Sequence, residues 1–107
     1  MKVVGLDRDT IKAGLADRSL LLIDVREQHE FDQGHIPGSI THPLSTFDAA
    51  EIADLVVRDG RRPVFSCMSG VRSVHALSAA QQAGLSIEEH YAGGFKDWAS
   101  SGEPIEI

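Results

Sequence analysis

A chain of 107 residues, 42% hydrophobic and 24% charged, can form one globular domain over residues 1–107 that buries roughly two-thirds of its unfolded surface without staples. Ten Lys and Arg against 16 Asp and Glu leave a net charge of −6, which argues against nucleic acid and anionic membranes as partners. The single cysteine cannot close an internal bridge, and no apolar stretch is long enough for a signal peptide or a membrane span, so a soluble, cytoplasmic protein is expected.

In chain order, Lys2-Val3-Val4 reads as a weak edge strand and Asp7 as the N-cap of a short helix through Ile11 and Leu15. Residues 20–25, Leu-Leu-Leu-Ile-Asp-Val, are apolar without alternation apart from Asp24, as in a central parallel strand covered on both faces. Asp24 falls near the C-terminal end of that run, the sheet edge where sites collect, and Arg26 follows it. Residues 27–33 suit one or two helical turns with Phe31 inward, and residues 34–38, Gly-His-Ile-Pro-Gly, suit a compact turn. Ser39-Ile40-Thr41 is a third short strand and residues 43–46 a loop. Phe47, Ile52, Leu55 and Val56 then line one face of a helix that ends at Gly60. Pro63-Val64-Phe65-Ser66 is the next buried strand. After it, Val71, Val74, Leu77 and Ala80 recur at helical spacing until Gly84. Residues 86–91 read as a fifth strand, Gly93-Gly94 as a turn, and Phe95, Trp98 and Ala99 as the face of a last helix. Alternating strands and helices give an α/β domain with a largely parallel sheet.

The chemistry is expected at Cys67-Met68-Ser69-Gly70-Val71-Arg72-Ser73, where the only cysteine stands between a strand and a helix. Gly70 permits backbone angles that let the N–H groups of residues 68–72 converge on one point, reinforced by the helix N-terminus. A lone cysteine at a strand end is usually an inert core residue, but the Gly and Arg spacing and the helix start weigh against that here. Lowering a thiol pKa by two units takes about 2.7 kcal/mol, of which a helix terminus supplies about 0.3–1. Arg72 and the loop amides must supply the rest. Between Gly60 and Ile87 there is no acidic residue, while Arg61, Arg62 and Arg72 are present, so a positive field is expected on the stretch that holds the candidate nucleophile.

Three motifs together resemble the single-domain rhodaneses, or thiosulfate sulfurtransferases. Leu22-Ile23-Asp24-Val25-Arg26-Glu27 with Glu30-Phe31 and residues 34–39 is similar to the family's N-terminal signature. Cys67-x-x-Gly70-x-Arg72-Ser73 is similar to its active loop, and Gly93-Gly94-x-x-x-Trp98 with Gly102-x-Pro104-Ile105 to its C-terminal signature. The resemblance implies a doubly wound domain whose five-stranded, mostly parallel sheet is flanked by helices, with the loop at the C-terminal edge. It also implies that Cys67 takes the sulfane sulfur of thiosulfate or a persulfide donor as a persulfide. Cyanide or a thiol, including a protein thiol, would then accept that sulfur. Met68, Ser69, Gly70, Val71, Arg72 and Ser73 would bind the charged sulfur and the small anionic donor. No cofactor is implied.

Four residues separate Cys67 from Arg72, against five in the related cysteine phosphatases and arsenate reductases, so the smaller ring favours sulfur over phosphate. Asp24 and Arg26 are assigned to bracing the loops, since charges at a buried edge are normally paired, and His35 to fixing its turn. His29, His42, His75 and His90 lack metal-ligand spacing, and no metal is expected. The alternatives are a rhodanese-like interaction module without turnover and, more distantly, a phosphatase or arsenate reductase.

Overall fold

The computed structural model describes residues 1–107. Strands β1 (Val4–Leu6), β2 (Leu20–Asp24), β3 (Ile40–Thr41), β4 (Arg62–Ser66) and β5 (Glu89–Tyr91) form one sheet in the order β1-β5-β4-β2-β3. Every neighbouring pair is parallel, so the sheet is wholly rather than mostly parallel. Five helices connect and cover it: α1 (Arg8–Ala16), α2 (Gln28–Gln33), α3 (Ala49–Asp59), α4 (Val71–Gln82) and α5 (Gly94–Ser100). No helix is long and apolar enough to cross a membrane.

The apolar run of β2 explains the layering. All five of its residues are buried, and alternate side chains serve opposite faces. Leu20 and Leu22 join Val64, Tyr91, Ile11, Ile36 and Trp98 in the layer under α1 and α5. Leu21 and Ile23 join Phe65, Cys67, Ile52, Ala76, Leu77 and Ala80 in the layer under α3 and α4. Each fully buried Leu, Ile or Phe contributes about 1.5–3 kcal/mol of apolar transfer. Asp7 caps α1 by accepting from the Thr10 amide at 2.9 Å, and Asp48 caps α3 by accepting from Ala50 and Glu51.

Winding direction positions the site. From β2 the chain moves outward to β3, whereas from β4 it moves the other way to β5 and on toward β1. The adjacent ends of β2 and β4 therefore form the switch point of the sheet, the edge where sites collect in open α/β sheets. Cys67 is the first residue beyond β4.

Several expectations are corrected. β1 covers Val4–Leu6 rather than residues 2–4, and β5 covers Glu89–Tyr91 rather than residues 86–91. The two strands pair with each other over that register, from Val4 with Glu89 to Leu6 with Tyr91. Residues Leu44–Thr46 make a turn of 3-10 helix inside the expected loop. Phe47 precedes α3 instead of lying on it, though its ring packs edge-on to Phe65 with centroids 6.3 Å apart. Val71 is 61% exposed and does not belong to the buried face of α4. That face is Ser73, Ala76, Leu77 and Ala80, so it begins with a hydroxyl placed against the sulfur.

Candidate active site at Cys67

The loop from Cys67 to Gly70 is shaped by what lies beneath it. Gly70 adopts φ +89° as it opens α4, and a Cβ there would collide with the Ala92 carbonyl oxygen. Gly94 adopts φ +64°, and its Cβ would fall 2.6 Å from the carbonyl oxygens of both Cys67 and Met68. Only glycine lets α5 approach so closely. The Phe95 and Lys96 amides then donate to those two carbonyls at 2.8 and 3.0 Å, so the start of α5 fixes the first two loop peptides.

Cys67 is 1% exposed, and its sulfur has two hydrogen-bonding partners. The Gly70 N–H donates to Sγ at 3.1 Å, and the Ser73 hydroxyl lies 3.5 Å away. Burial pushes the thiol pKa up, but the Ser73 hydroxyl and the amides of Ser73, Ser69 and Gly70 outweigh it, and the net shift is downward. No cavity on the molecule is lined by Cys67. A cavity of about 390 Å³ bounded by Asp7, Arg8, Tyr91, Gly93 and Asp97 lies at the same edge. There the Tyr91 hydroxyl donates to Asp97 at 2.5 Å and Arg8 pairs with the same carboxylate at 2.9 Å.

The arginines do not make the expected positive field. Arg61 pairs with Asp59 at 2.7 Å and Arg62 with Glu89 at 2.8 Å, and both belong to the N-terminal end of β4, away from the sulfur. Arg72 makes two bonds to Glu30 of α2, at 2.6 and 3.0 Å. The arginine holds the Glu30 carboxyl down to about 2, and Arg72 is itself raised, chiefly by that bond and to a lesser extent by charge on Cys67. Its guanidinium ties α4 to α2.

Asp24 and Arg26 are 4% and 1% exposed and bond each other at 2.8 Å, while Arg26 also donates to the Gly34 carbonyl at 2.8 Å. The guanidinium lies 4.3 Å from the centroid of Phe95, so one buried ion pair links β2, the end of α2 and the start of α5. His35 stacks on Phe31 with centroids 3.8 Å apart and bonds its carbonyl at 2.9 Å. Its backbone pairs with Glu106, and no bond from His35 reaches the Cys67 loop. Met68 is half-buried and Ser69 exposed at the rim. No three His, Cys, Asp or Glu side chains come together as metal ligands would.

The rhodanese-like domain family matches residues 7–101. The chain belongs to that family. A mouse relative, thiosulfate sulfurtransferase/rhodanese-like domain-containing protein 3, is 36% identical over 90% of this chain and 68% of its own length. The thiosulfate:glutathione sulfurtransferase of Saccharomyces cerevisiae is 31% identical over 83% of this chain and 71% of its own. Other relatives of similar likeness are much longer, and this chain spans 24% of them. Among solved structures, a rhodanese-related protein from Thermoplasma volcanium superposes with a TM-score of 0.76 at 26% identity, covering 95% of this chain and 96% of that one.

Two partners of this rhodanese-like loop were invisible to sequence reasoning. Glu30 stood within a quoted motif, but nothing local ties it to Arg72, which is 42 residues away. His90 was set aside for lack of metal spacing, yet its Nδ1 lies 2.7 Å from Ser73 Oγ. The available signal was the position of Ser73, six residues after Cys67, which a helix start turns back toward the sulfur.

Proposed function

We propose that this protein is a sulfurtransferase that carries sulfane sulfur on Cys67. The observation that carries this reading is the Gly70 amide 3.1 Å from a buried sulfur whose pKa is drawn down by the loop's donors. A thiolate is the reactive form. It attacks the outer sulfur of the donor, a new S–S bond forms as the donor's S–S bond breaks, and the electron pair leaves on sulfite or a thiolate. The loop amides and the hydroxyls of Ser69 and Ser73 then hold the persulfide anion. An acceptor thiolate or cyanide attacks the terminal sulfur, and Cys67 leaves as thiolate. The sulfurtransferase names among the relatives support this class of reaction, and the yeast relative makes a small thiol the acceptor to try first.

Arg72 refines the donor. Its charge is matched by Glu30, so little net attraction remains for a dianion such as thiosulfate. A persulfide group, with one negative charge at the sulfur to be transferred against two on thiosulfate, depends less on a free cation and is the better match. The experiment is intact mass spectrometry after incubation with thiosulfate or with glutathione persulfide. The expected result is a gain of one sulfur atom, faster from the persulfide, absent in Cys67→Ser and reversed by cyanide. No gain from either donor would overturn the reading, and hydrolysis of a phenyl phosphate would replace it with phosphatase chemistry.

A further inference from the structure

Behind the sulfur runs a line of buried polar groups that continues past Ser73 to His90, a residue the transfer chemistry does not use. Ser73 Oγ lies 3.5 Å from Cys67 Sγ and 2.7 Å from His90 Nδ1, and Cys67, Ser73 and His90 are 1%, 0% and 6% exposed. Of the two groups bonded to the sulfur, the Gly70 N–H can only donate. The Ser73 hydroxyl is therefore the one neighbour able to take a proton from the thiol. At the far end, His90 sits opposite Gly5 of the edge strand β1, and even a Cβ at Gly5 would lie 3.9 Å from Nε2. Nε2 has no protein partner and is not wholly buried, so the ring reaches solvent on that side.

We propose that Ser73 and His90 form a proton path between Cys67 and solvent, with the imidazole changing tautomer each time the sulfur gains or loses its proton. The proposal rests on the reading of Cys67 as a sulfur carrier. With the thiol present, Sγ–H donates to Ser73 Oγ, Ser73 Oγ–H donates to Nδ1, and the ring proton sits on Nε2. On ionisation the S–H bond breaks, Ser73 takes that proton and passes its own to Nδ1, and Nε2 releases one proton to water. The product is a thiolate that accepts from Ser73, which accepts from Nδ1–H, and the ring is neutral before and after. Reversing the steps returns a proton to the sulfur. His90 is thus a positioning residue acting through Ser73.

Charged groups do not account for this behaviour. The residues facing His90 are Gly5 from β1, Phe65 from β4, Gly70 from the loop and Ser73 from α4, none of them titratable as placed. Burial alone lowers the His90 pKa, so the neutral ring is the working form. Charge on Cys67 acts on Arg72, as do the carboxylates of Glu30 and Asp24.

The test begins with nitrogen NMR of the His90 ring in the unaltered protein across the pH range where Cys67 ionises. The expected result is an exchange from the Nε2–H to the Nδ1–H tautomer with the midpoint at which alkylation of Cys67 switches on. In parallel, Ser73→Ala and His90→Phe are expected to load sulfur from glutathione persulfide about tenfold more slowly near pH 6.5, as for a one-unit rise in thiol pKa, and His90→Phe, which keeps the Ser73 hydroxyl, to load at the wild-type rate near pH 9. A merely structural role would slow both pH values alike. A ring that keeps one tautomer while the sulfur titrates, or Ser73→Ala loading at the wild-type rate near pH 6.5, would overturn the path, whether or not His90→Phe folds. Failure of the wild type to take up sulfur at all would instead remove the sulfurtransfer reading, because the tautomer exchange is read without any donor.

Discussion

Arg72 and Glu30 meet through two charge-assisted bonds, and each sets the ionisation of the other. The folded-state pKa of Glu30 falls from 4.5 to about 2. A depressed carboxyl contributes stability that is complete above its unfolded value and is lost as pH falls through the folded one. The tether between α2 and α4 is therefore expected to stay ionised at pH 4, while its contribution to stability shrinks between about pH 4.5 and pH 2, measured as the declining Tm advantage of wild type over Glu30→Gln. At neutral pH the same variant frees the Arg72 charge. Its kcat/KM for thiosulfate should rise about three- to tenfold while that for a persulfide changes little, since one cation at partly exposed range is worth about 1 kcal/mol to a dianion. Asp24 and Arg26 obey the stricter rule of the interior. Arg26→Met leaves a carboxylate 4% exposed without its partner, and a loss of about 3–5 kcal/mol in urea unfolding is expected.

Among the elements, α5 has a role out of proportion to its seven residues, because its first turn donates to the peptide carbonyls of Cys67 and Met68. Gly94→Ala should force that contact apart. Loss of the left-handed glycine and the carbonyl clash should cost about 1–3 kcal/mol, and a displaced loop should bring Cys67 alkylation back toward the rate of an ordinary thiol. How much of the architecture could be read beforehand also differs by element. β2 declared itself because a run buried on both faces has no polar alternation, and the cap at Asp7 because Thr10 follows at the right distance. β1 was displaced because an edge strand starts where its one partner begins, and Val4 lies opposite Glu89, the first residue of β5. Val71 misled because the buried stripe of α4 starts at Ser73, whose hydroxyl faces the sulfur, and leaves Val71 on the exposed side of the same turn. Cys67 was placed at a strand end by the apolar run that precedes it. The pairings of Arg72 and Ser73 were not readable, since their partners come from α2 and β5.

At the scale of the whole molecule, the net charge of −6 and the paired arginines act together. An anionic donor approaches a surface that repels it, and salt screens that repulsion over about 8–10 Å at physiological strength. Sulfur loading from thiosulfate should therefore speed up as sodium chloride rises from about 20 to 200 mM, whereas uncharged iodoacetamide should react at a constant rate. A fall in the thiosulfate rate would mean that a net positive field guides the donor after all. The central claim is that folding lowers the pKa of one buried sulfur below its value in the unfolded chain. Its most direct measurement is the pH dependence of iodoacetamide alkylation of Cys67 in the folded chain beside the same chain unfolded in urea. The account predicts a midpoint clearly lower in the folded protein; coincident midpoints, or a higher one in the folded chain, would contradict it.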